Sequence, residues 1–295
     1  MLEHLRTPVS PERVVVVGAG GFVGGSIMRR LAADGVPSLA VTRRELDLLD
    51  AGAGRSLAAL LRPSDSVVLV SAVAPARTAA HVTQNLRMAE AWADAFAAAP
   101  VAHVVYISSD AVYADGDGLV SETSCAQPSS LHGVMHLARE VMLSAALKAP
   151  LAVLRPSLLY GPGDPHNSYG PNRFRRLAAG GEPIVLFGEG EEQRDHVWIE
   201  DVGSIVGLTL AHRSRGVLNV ATGSSVSFRR AAELVARLAS RPAVIRGTPR
   251  QSPIVHRHFD VTACVKAFPA FHYVPLEEGL RRTVRAETAD GAPAR

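Results

Sequence analysis

The fold of this chain is decided by one short glycine-rich stretch, which reads Gly18-Ala19-Gly20-Gly21-Phe22-Val23-Gly24. The β-branched run at 13–17 is typical of a buried parallel strand, and the apolar spacing after it predicts a helix at 22–33. Glycines between a strand and a helix let the backbone approach a pyrophosphate, whose charge then lies at the helix N-terminus. This context favours a dinucleotide-binding turn over an ordinary strand-to-helix turn. The predicted cofactor contacts are Gly18, Gly20, Gly21, Phe22, Val23 and Gly24.

Strands and helices go on alternating through the first half of the chain. Further strands are predicted at 39–41, 67–70, 101–107 and 151–154, and long helices at 77–99 and 131–147. Strands that alternate with helices imply a parallel, doubly wound α/β sheet.

The rhythm changes after Tyr160, where prolines and glycines begin a long loop that extends to Pro171. The remaining signals are a strand at 217–220, a helix at 228–238, a helix from 276 onward and a frayed tail at 287–295. These signals predict a smaller C-terminal α/β lobe.

Composition limits the class of partner. The 295 residues are 47% hydrophobic, carry a net charge of +3, and contain neither a cluster of Lys and Arg nor an apolar run of the ~18 residues that a membrane span needs. Two cysteines, Cys125 and Cys264, build neither a disulfide framework nor a cysteine metal site. We therefore expect a soluble, cytoplasmic protein that binds a phosphorylated small molecule and neither nucleic acid nor a membrane.

The segment after the second strand bears on the choice of cofactor. Where an NAD-preferring fold carries an acid about 20 residues past the glycines, this chain has Arg43 and Arg44, which favour the 2′-phosphate of NADP over NAD. The alternative is that both arginines are solvated loop residues. Asp47 is predicted either to lie against the adenine or to cap the next helix.

Several separated segments resemble the extended short-chain dehydrogenases/reductases that act on nucleotide sugars, namely epimerases, dehydratases and 4-ketoreductases. They are Asn85, 106–113, 154–156, 160–163, 188–190 and 193–197. The resemblance implies a Rossmann sheet with a C-terminal α/β substrate lobe, an NAD(P) cofactor near Asn85, a nucleoside-diphosphate sugar as partner, and a homodimer formed through the helices at 77–99 and 131–147. It divides the chain into a dinucleotide-binding domain, 1–160 with a returning segment at about 195–221, and a substrate-binding lobe, 161–194 and 222–295.

The same resemblance implies roles for single residues of the Ser108-Ser109-Asp110 segment. Ser109 matches the serine that donates a hydrogen bond to the reacting oxygen, with a turn-capping serine as the alternative. Asp110 matches an aspartate that dehydratases use as an acid, but Ala111 stands where they carry glutamate. The usual 4,6-dehydration is therefore not expected.

Two further residues are predicted to bind the nucleotide. Arg194 matches an arginine that holds the phosphates, with a salt bridge to Asp195 as the alternative. Asn172 matches an asparagine at the diphosphate, with a plain helix N-cap as the alternative. The family's Arg-Pro-Gly-Asp stretch is missing and Arg250 stands near its place, which leaves the second phosphate contact open.

The chain departs from the family at its Tyr-x-x-x-Lys pair. The corresponding segment reads His132-Gly133-Val134-Met135-His136. Three interpretations compete: altered catalysis, with His132 exchanging the proton and His136 positioning the ribose; a degenerate cofactor-binding sensor or scaffold; and a metal site. The metal site is the weakest, because zinc needs at least three protein ligands. An imidazole exchanges protons at neutral pH without a cation beside it. Because Ser109, Arg194 and the glycine-rich stretch are all retained, we favour an enzyme, an epimerase or a 4-ketoreductase, with no metal.

Overall fold

The structure is a computed structural model that describes residues 1–116 and 118–289. Its strands are β1 (Val14–Val17), β2 (Ser38–Val41), β3 (Ser66–Leu69), β4 (His103–Ile107), β5 (Leu119–Val120), β6 (Leu151–Pro156), β7 (Leu158–Tyr160), β8 (Ile184–Phe187), β9 (Gln193–Arg194), β10 (His196–Trp198), β11 (Gly216–Val220), β12 (Val226–Ser227), β13 (Ile245–Thr248) and β14 (His258–Phe259). Its helices are α1 (Phe22–Ala33), α2 (Ala53–Ala58), α3 (Ala79–Ala98), α4 (Leu131–Ala146), α5 (Pro171–Gly180), α6 (Ile199–Ala211), α7 (Phe228–Leu238), α8 (Thr262–Ala267) and α9 (Leu276–Ala289). A 3-10 turn spans Asp110–Val112.

Six parallel strands form the central sheet, in the order β11-β6-β4-β3-β1-β2. This confirms the prediction of a doubly wound parallel sheet. Because β1 lies between β2 and β3, the direction of winding reverses beside it, and ligands bind outside the carboxyl ends of the strands at such a point. The glycine-rich stretch follows β1 directly and therefore lies at this point.

The valine run of β1 is buried on both faces of the sheet. Val14 and Val16 pack with α1, α6 and α8, whereas Val15 and Val17 pack with α2, α3 and α4. Successive side chains of a strand point to opposite faces, so a strand covered by helices on both sides needs a continuous apolar run.

A separate apolar core lies in the C-terminal part of the chain, where α5, α7 and α9 pack around Tyr160, Phe174 and Leu280. The small parallel sheet of β8 and β13 borders this core. In contrast, β11 joins the central sheet beside β6, although it follows β8 to β10 in the chain.

The predicted helix bounds hold for α1 and α7 and shift elsewhere. Helix α3 begins at Ala79 rather than at 77, because the Thr78 side chain accepts a hydrogen bond from the amide of His81 and so caps it. The periodicity does not reveal α6, because this helix is buried on most of its sides and its sequence lacks a polar face.

The end of the chain differs from the predicted frayed tail. Residues 287–289 belong to α9, and 290–295 lie outside the described residues. Over the described part of the chain, no helix combines the length and apolar content that a membrane span requires.

Candidate active site

The turn after β1 is too tight for side chains at two of its glycines. A Cβ on Gly24 would overlap the carbonyl oxygen of Gly18, and Gly18 itself has a φ of +102°, which side chains disfavour. Among the described residues, no side chain caps the N-terminus of α1 at Gly21, so the first N–H groups of the helix face the turn. These features fit the pyrophosphate of a dinucleotide.

The segment after β2 contains an exposed ion pair. Arg43 Nε donates to Asp47 Oδ2 at 2.9 Å, and the Arg43 side chain is 80% exposed. The amide of Leu49 and then Arg43 lower the pKa of Asp47. Gly52, not Asp47, is the N-cap of α2, so the capping alternative for Asp47 is wrong. Arg44 is exposed.

Asn85 is fully buried in α3 and bonds to the protein backbone. Its Oδ1 accepts from the amide of Val73 at 3.1 Å, and its Nδ2 donates to the carbonyls of Val73 and His81 at 3.0 and 2.8 Å. Asn85 thus orders the loop after β3, which borders the glycine turn. Its side-chain oxygen and nitrogen are already bonded to backbone groups.

Ser109 lies where β4 ends and the 3-10 turn begins. Its Oγ accepts from the amide of Ala111 at 3.1 Å and lies 3.4 Å from Asp110 Oδ1. The turn-capping role thus occurs, and the hydroxyl donates over this long distance to the Asp110 carboxylate, a weak bond that it has to leave before it donates to a substrate oxygen. Ser108 points elsewhere, donating at 2.5 Å to Glu140 Oε1 in the interior.

His132 is brought to this turn by a close helix contact. A Cβ on Gly133 would overlap the carbonyl oxygen of Ala111, so only glycine lets the first turn of α4 rest on the 3-10 turn. The amide of Ala76 donates to His132 Nδ1 at 3.4 Å. Burial lowers the pKa of His132, and so the ring is neutral at neutral pH.

His136 lies one helical turn deeper. Its ring centroid is 4.7 Å from that of His132, in an edge-to-face arrangement, and its Nδ1 lies 2.7 Å from the hydroxyl of Tyr106. Burial, followed by the neighbouring His132 and Arg139, holds its pKa well below the ordinary value. Both histidines of the replaced pair are therefore neutral.

Asp110 lies in the field of two arginines. Burial raises the pKa of its carboxyl, while the positive charges of Arg257 and Arg194 oppose this shift. Arg257 is 4% exposed, donates to the Asp110 carbonyl at 2.6 Å, and bonds to Asp115 Oδ1 at 2.8 Å. Sequence reasoning missed Arg257, because it lies in a segment without regular periodicity.

Two guanidinium groups converge on one carboxylate. Arg194 Nε donates to Glu192 Oε1 at 2.8 Å, and Arg250 Nη1 lies 3.4 Å from Glu192 Oε2. Asp195 instead accepts from the amide and hydroxyl of Thr222, at 3.0 and 2.8 Å. The alternative pairing of Arg194 with Asp195 is therefore wrong.

Asn172 is buried in the first turn of α5. Its Oδ1 accepts from the amide of Gly161 at 3.1 Å, and its Nδ2 donates to the Leu159 carbonyl at 3.3 Å. The N-cap of α5 is Gly170, so Asn172 is not the capping residue. Like Asn85, it holds a loop at the edge of the site.

The described residues contain no group of three or more His, Cys, Asp or Glu side chains arranged to ligate a metal ion.

Comparison with known proteins shows which family has this architecture. Residues 14–221 match the model of the NAD dependent epimerase/dehydratase family. The dTDP-L-rhamnose 4-epimerase of Burkholderia thailandensis is 26% identical, over 86% of this chain and 89% of that protein. The dTDP-4-dehydro-6-deoxy-D-allose reductase of Streptomyces bikiniensis is also 26% identical, over 92% of this chain and 96% of that protein.

A solved structure agrees with these relatives. MoeE5 in complex with UDP-glucose and NAD superposes with a TM-score of 0.83 at 26% identity, covering 95% of this chain and all of MoeE5. The resemblance expected from the separated motifs is thus confirmed, and the family match extends from β1 through β11, over more than half of the chain. The glycine turn, the sheet order and these matches together mean that the chain belongs to the NAD dependent epimerase/dehydratase family.

Proposed function

We propose that this protein is an NAD(P)-dependent nucleotide-sugar epimerase or 4-ketoreductase in which His132 replaces the family's tyrosine. The observation that carries the proposal is the contact of Gly133 with the Ala111 carbonyl, because it brings His132 beside the turn that Ser109 begins. Ser109 can donate a hydrogen bond to a substrate oxygen and His132 can exchange its proton, so the two together can support catalysis. A sensor that only binds the cofactor would not need both groups.

The bound dinucleotide supplies hydride transfer at a sugar carbon. The chain supplies the rest: the glycine turn holds the pyrophosphate, and the Ser109 hydroxyl donates to the sugar oxygen. Because Ala76 donates to His132 Nδ1, the neutral ring bears its proton on Nε2. In the reduction direction the ring passes this proton to the ketone oxygen as the carbon is reduced, while the Ala76 contact opens and Nδ1 takes up a proton from solvent. In the oxidation direction the long hydrogen bond from Ala76 has to break first, because Nε2 can accept a proton only when the ring carries its hydrogen on Nδ1.

A nucleoside-diphosphate sugar is the substrate class that the site favours. The relatives' names specify dTDP-sugars, and MoeE5 holds UDP-glucose. In this chain, the guanidinium groups of Arg194 and Arg250 share the Glu192 carboxylate. A diphosphate has more acceptor oxygens and more negative charge than this carboxylate, so it is the stronger partner for two planar donors. We infer that the diphosphate takes the place of Glu192 between the two arginines.

Nucleotide binding should therefore raise the melting temperature. UDP or dTDP at millimolar concentration should stabilise the protein saturated with NADPH, because any ligand of the native state does so. Arg194→Ala should abolish the shift, as measured by differential scanning fluorimetry across uridine, thymidine, guanosine, cytidine and adenosine diphosphates.

Two matched variants sharpen this test. Glu192→Gln removes the competing carboxylate and should enlarge the shift, whereas Arg29→Ala, which removes an exposed arginine paired with Glu200 on α6, should leave it unchanged. The nucleotide-sugar proposal fails if none of the five diphosphates moves the melting curve of the wild-type protein.

Cofactor choice is the second testable part of the proposal. We expect NADPH to bind more tightly than NADH, and Arg43→Ala combined with Arg44→Ala to remove the difference, because both guanidiniums follow β2 where a 2′-phosphate lies. Isothermal titration calorimetry with both dinucleotides measures this.

The Arg43–Asp47 pair provides the control for that measurement. Asp47→Asn releases Arg43 and should widen the preference for NADPH over NADH. Equal or tighter binding of NADH by the wild-type protein would contradict the assignment of Arg43 and Arg44.

The domain division and the homodimer are also part of the proposal. We propose that residues 1–160, with a returning segment at about 195–221, form the dinucleotide-binding domain, and that 161–194 and 222–295 form the substrate-binding lobe. Val134 and Val141, seven residues apart on α4, are exposed apolar side chains, which supports pairing of two copies through α3 and α4.

A further inference from the structure

A buried hydrogen bond joins the central sheet to the second histidine of the replaced pair. Tyr106, in the middle of the sheet on β4, has no exposed surface, and its hydroxyl lies 2.7 Å from His136 Nδ1. His136 is 6% exposed. This contact lies beneath the site and is not explained by any of the roles assigned above.

The chemistry of the neighbours decides which atom donates. Burial raises the pKa of Tyr106 to about 12, so the phenol keeps its proton. Arg139 lies beside the ring, with its guanidinium carbon 5.9 Å from the ring centroid, and a guanidinium only donates hydrogen bonds. Among the described residues, His136 is therefore the acceptor that the Tyr106 hydroxyl meets.

The consequence is a fixed tautomer. If the hydroxyl donates to Nδ1, the neutral ring of His136 must carry its hydrogen on Nε2. The opposite arrangement would leave the phenol proton buried without an acceptor, which costs about 1–3 kcal/mol. Arg139 also donates to the carbonyls of Asn85 and Ser71, so it is anchored independently of the histidine.

We propose that Tyr106 is a positioning residue that holds His136 as the neutral Nε2–H tautomer, giving the cofactor ribose one oriented donor where relatives present a lysine ammonium. The inference rests on the proposed function for its ribose contact, but the tautomer itself is a property of the protein alone. His132 and Arg139 from α4 and Tyr106 from β4 are the titratable groups that face the ring.

Long-range ¹H–¹⁵N correlation spectra of the histidine side chains test the tautomer in the full-length protein without ligand. The wild-type spectrum should show His136, assigned by comparison with His136→Gln, as neutral with its hydrogen on Nε2. In Tyr106→Phe the single tautomer should be lost, and the dissociation constant for NADPH should rise about two- to tenfold, the range for one lost hydrogen bond.

Trp92→Phe is the matched control, since Trp92 packs against Tyr106 and Arg139 but does not bond to the histidine. It should leave both the His136 spectrum and NADPH binding unchanged. A spectrum in which wild-type His136 carries its hydrogen on Nδ1 overturns the proposal. That measurement uses the wild-type protein, so it does not depend on whether a variant folds. An unchanged NADPH affinity in Tyr106→Phe overturns the positioning role, whereas failure of wild type to bind any dinucleotide overturns the proposed function instead.

Discussion

Replacing His132 with alanine should lower kcat by a factor of ~10²–10⁴ with the true substrate, the usual contribution of a proton-transfer group. Binding of the dinucleotide should persist, because the glycine turn that holds the pyrophosphate lies on β1 and α1 rather than on α4. Steady-state kinetics together with dinucleotide calorimetry separates the two effects. Unchanged turnover in His132→Ala would remove this histidine from the mechanism.

The pH profile gives a second readout of the same group. Burial lowers the pKa of His132, so the ring is already neutral at pH 7, and activity should fall only on acidification below about pH 6.5. His132→Tyr alone should stay impaired, because neutral His136 supplies no cation to lower the pKa of the new phenol. Combining it with His136→Lys rebuilds the family's pair, so the two substitutions should be strongly non-additive.

Removing Glu140 should cost more stability than removing any surface carboxylate. Its two oxygens accept from Arg155 at 3.0 and 2.5 Å, and one also accepts from Ser108, all in the interior. Glu140→Ala leaves the Arg155 guanidinium buried without a counterion, and breaking such a pair lowers the free energy of unfolding by about 3–5 kcal/mol. Urea denaturation of variant and wild type measures this.

Glu200, a partly exposed carboxylate that pairs with exposed Arg29, is the control. Glu200→Ala should cost at most about 1 kcal/mol, since water screens that pair. The combination of Glu140→Leu with Arg155→Met should regain much of the loss, because it leaves no buried charge. A loss from Glu140→Ala no larger than from Glu200→Ala would contradict the account.

The sequence by itself determined the features that depend on neighbours along the chain. The glycine-rich stretch, the helices at 22–33 and 228–238 and the alternation of strands and helices are local patterns, because propensity and amphipathic spacing act within a few turns of backbone. The parallel sheet followed from that alternation. The replaced pair, His132 and His136, was also visible in the sequence, because its helical context was intact.

Only the tertiary structure decided which partners the site residues meet. Asn85 and Asn172 bond to loop backbone, Arg194 shares Glu192 with Arg250, and Tyr106 reaches His136 across thirty positions of chain. Arg257 enters the site from a segment with no periodic signal. Such contacts join residues that are distant in sequence, and packing of the sheet against its helices selects them. No local pattern encodes that selection, because a polar side chain is compatible with many partners until burial leaves it only one.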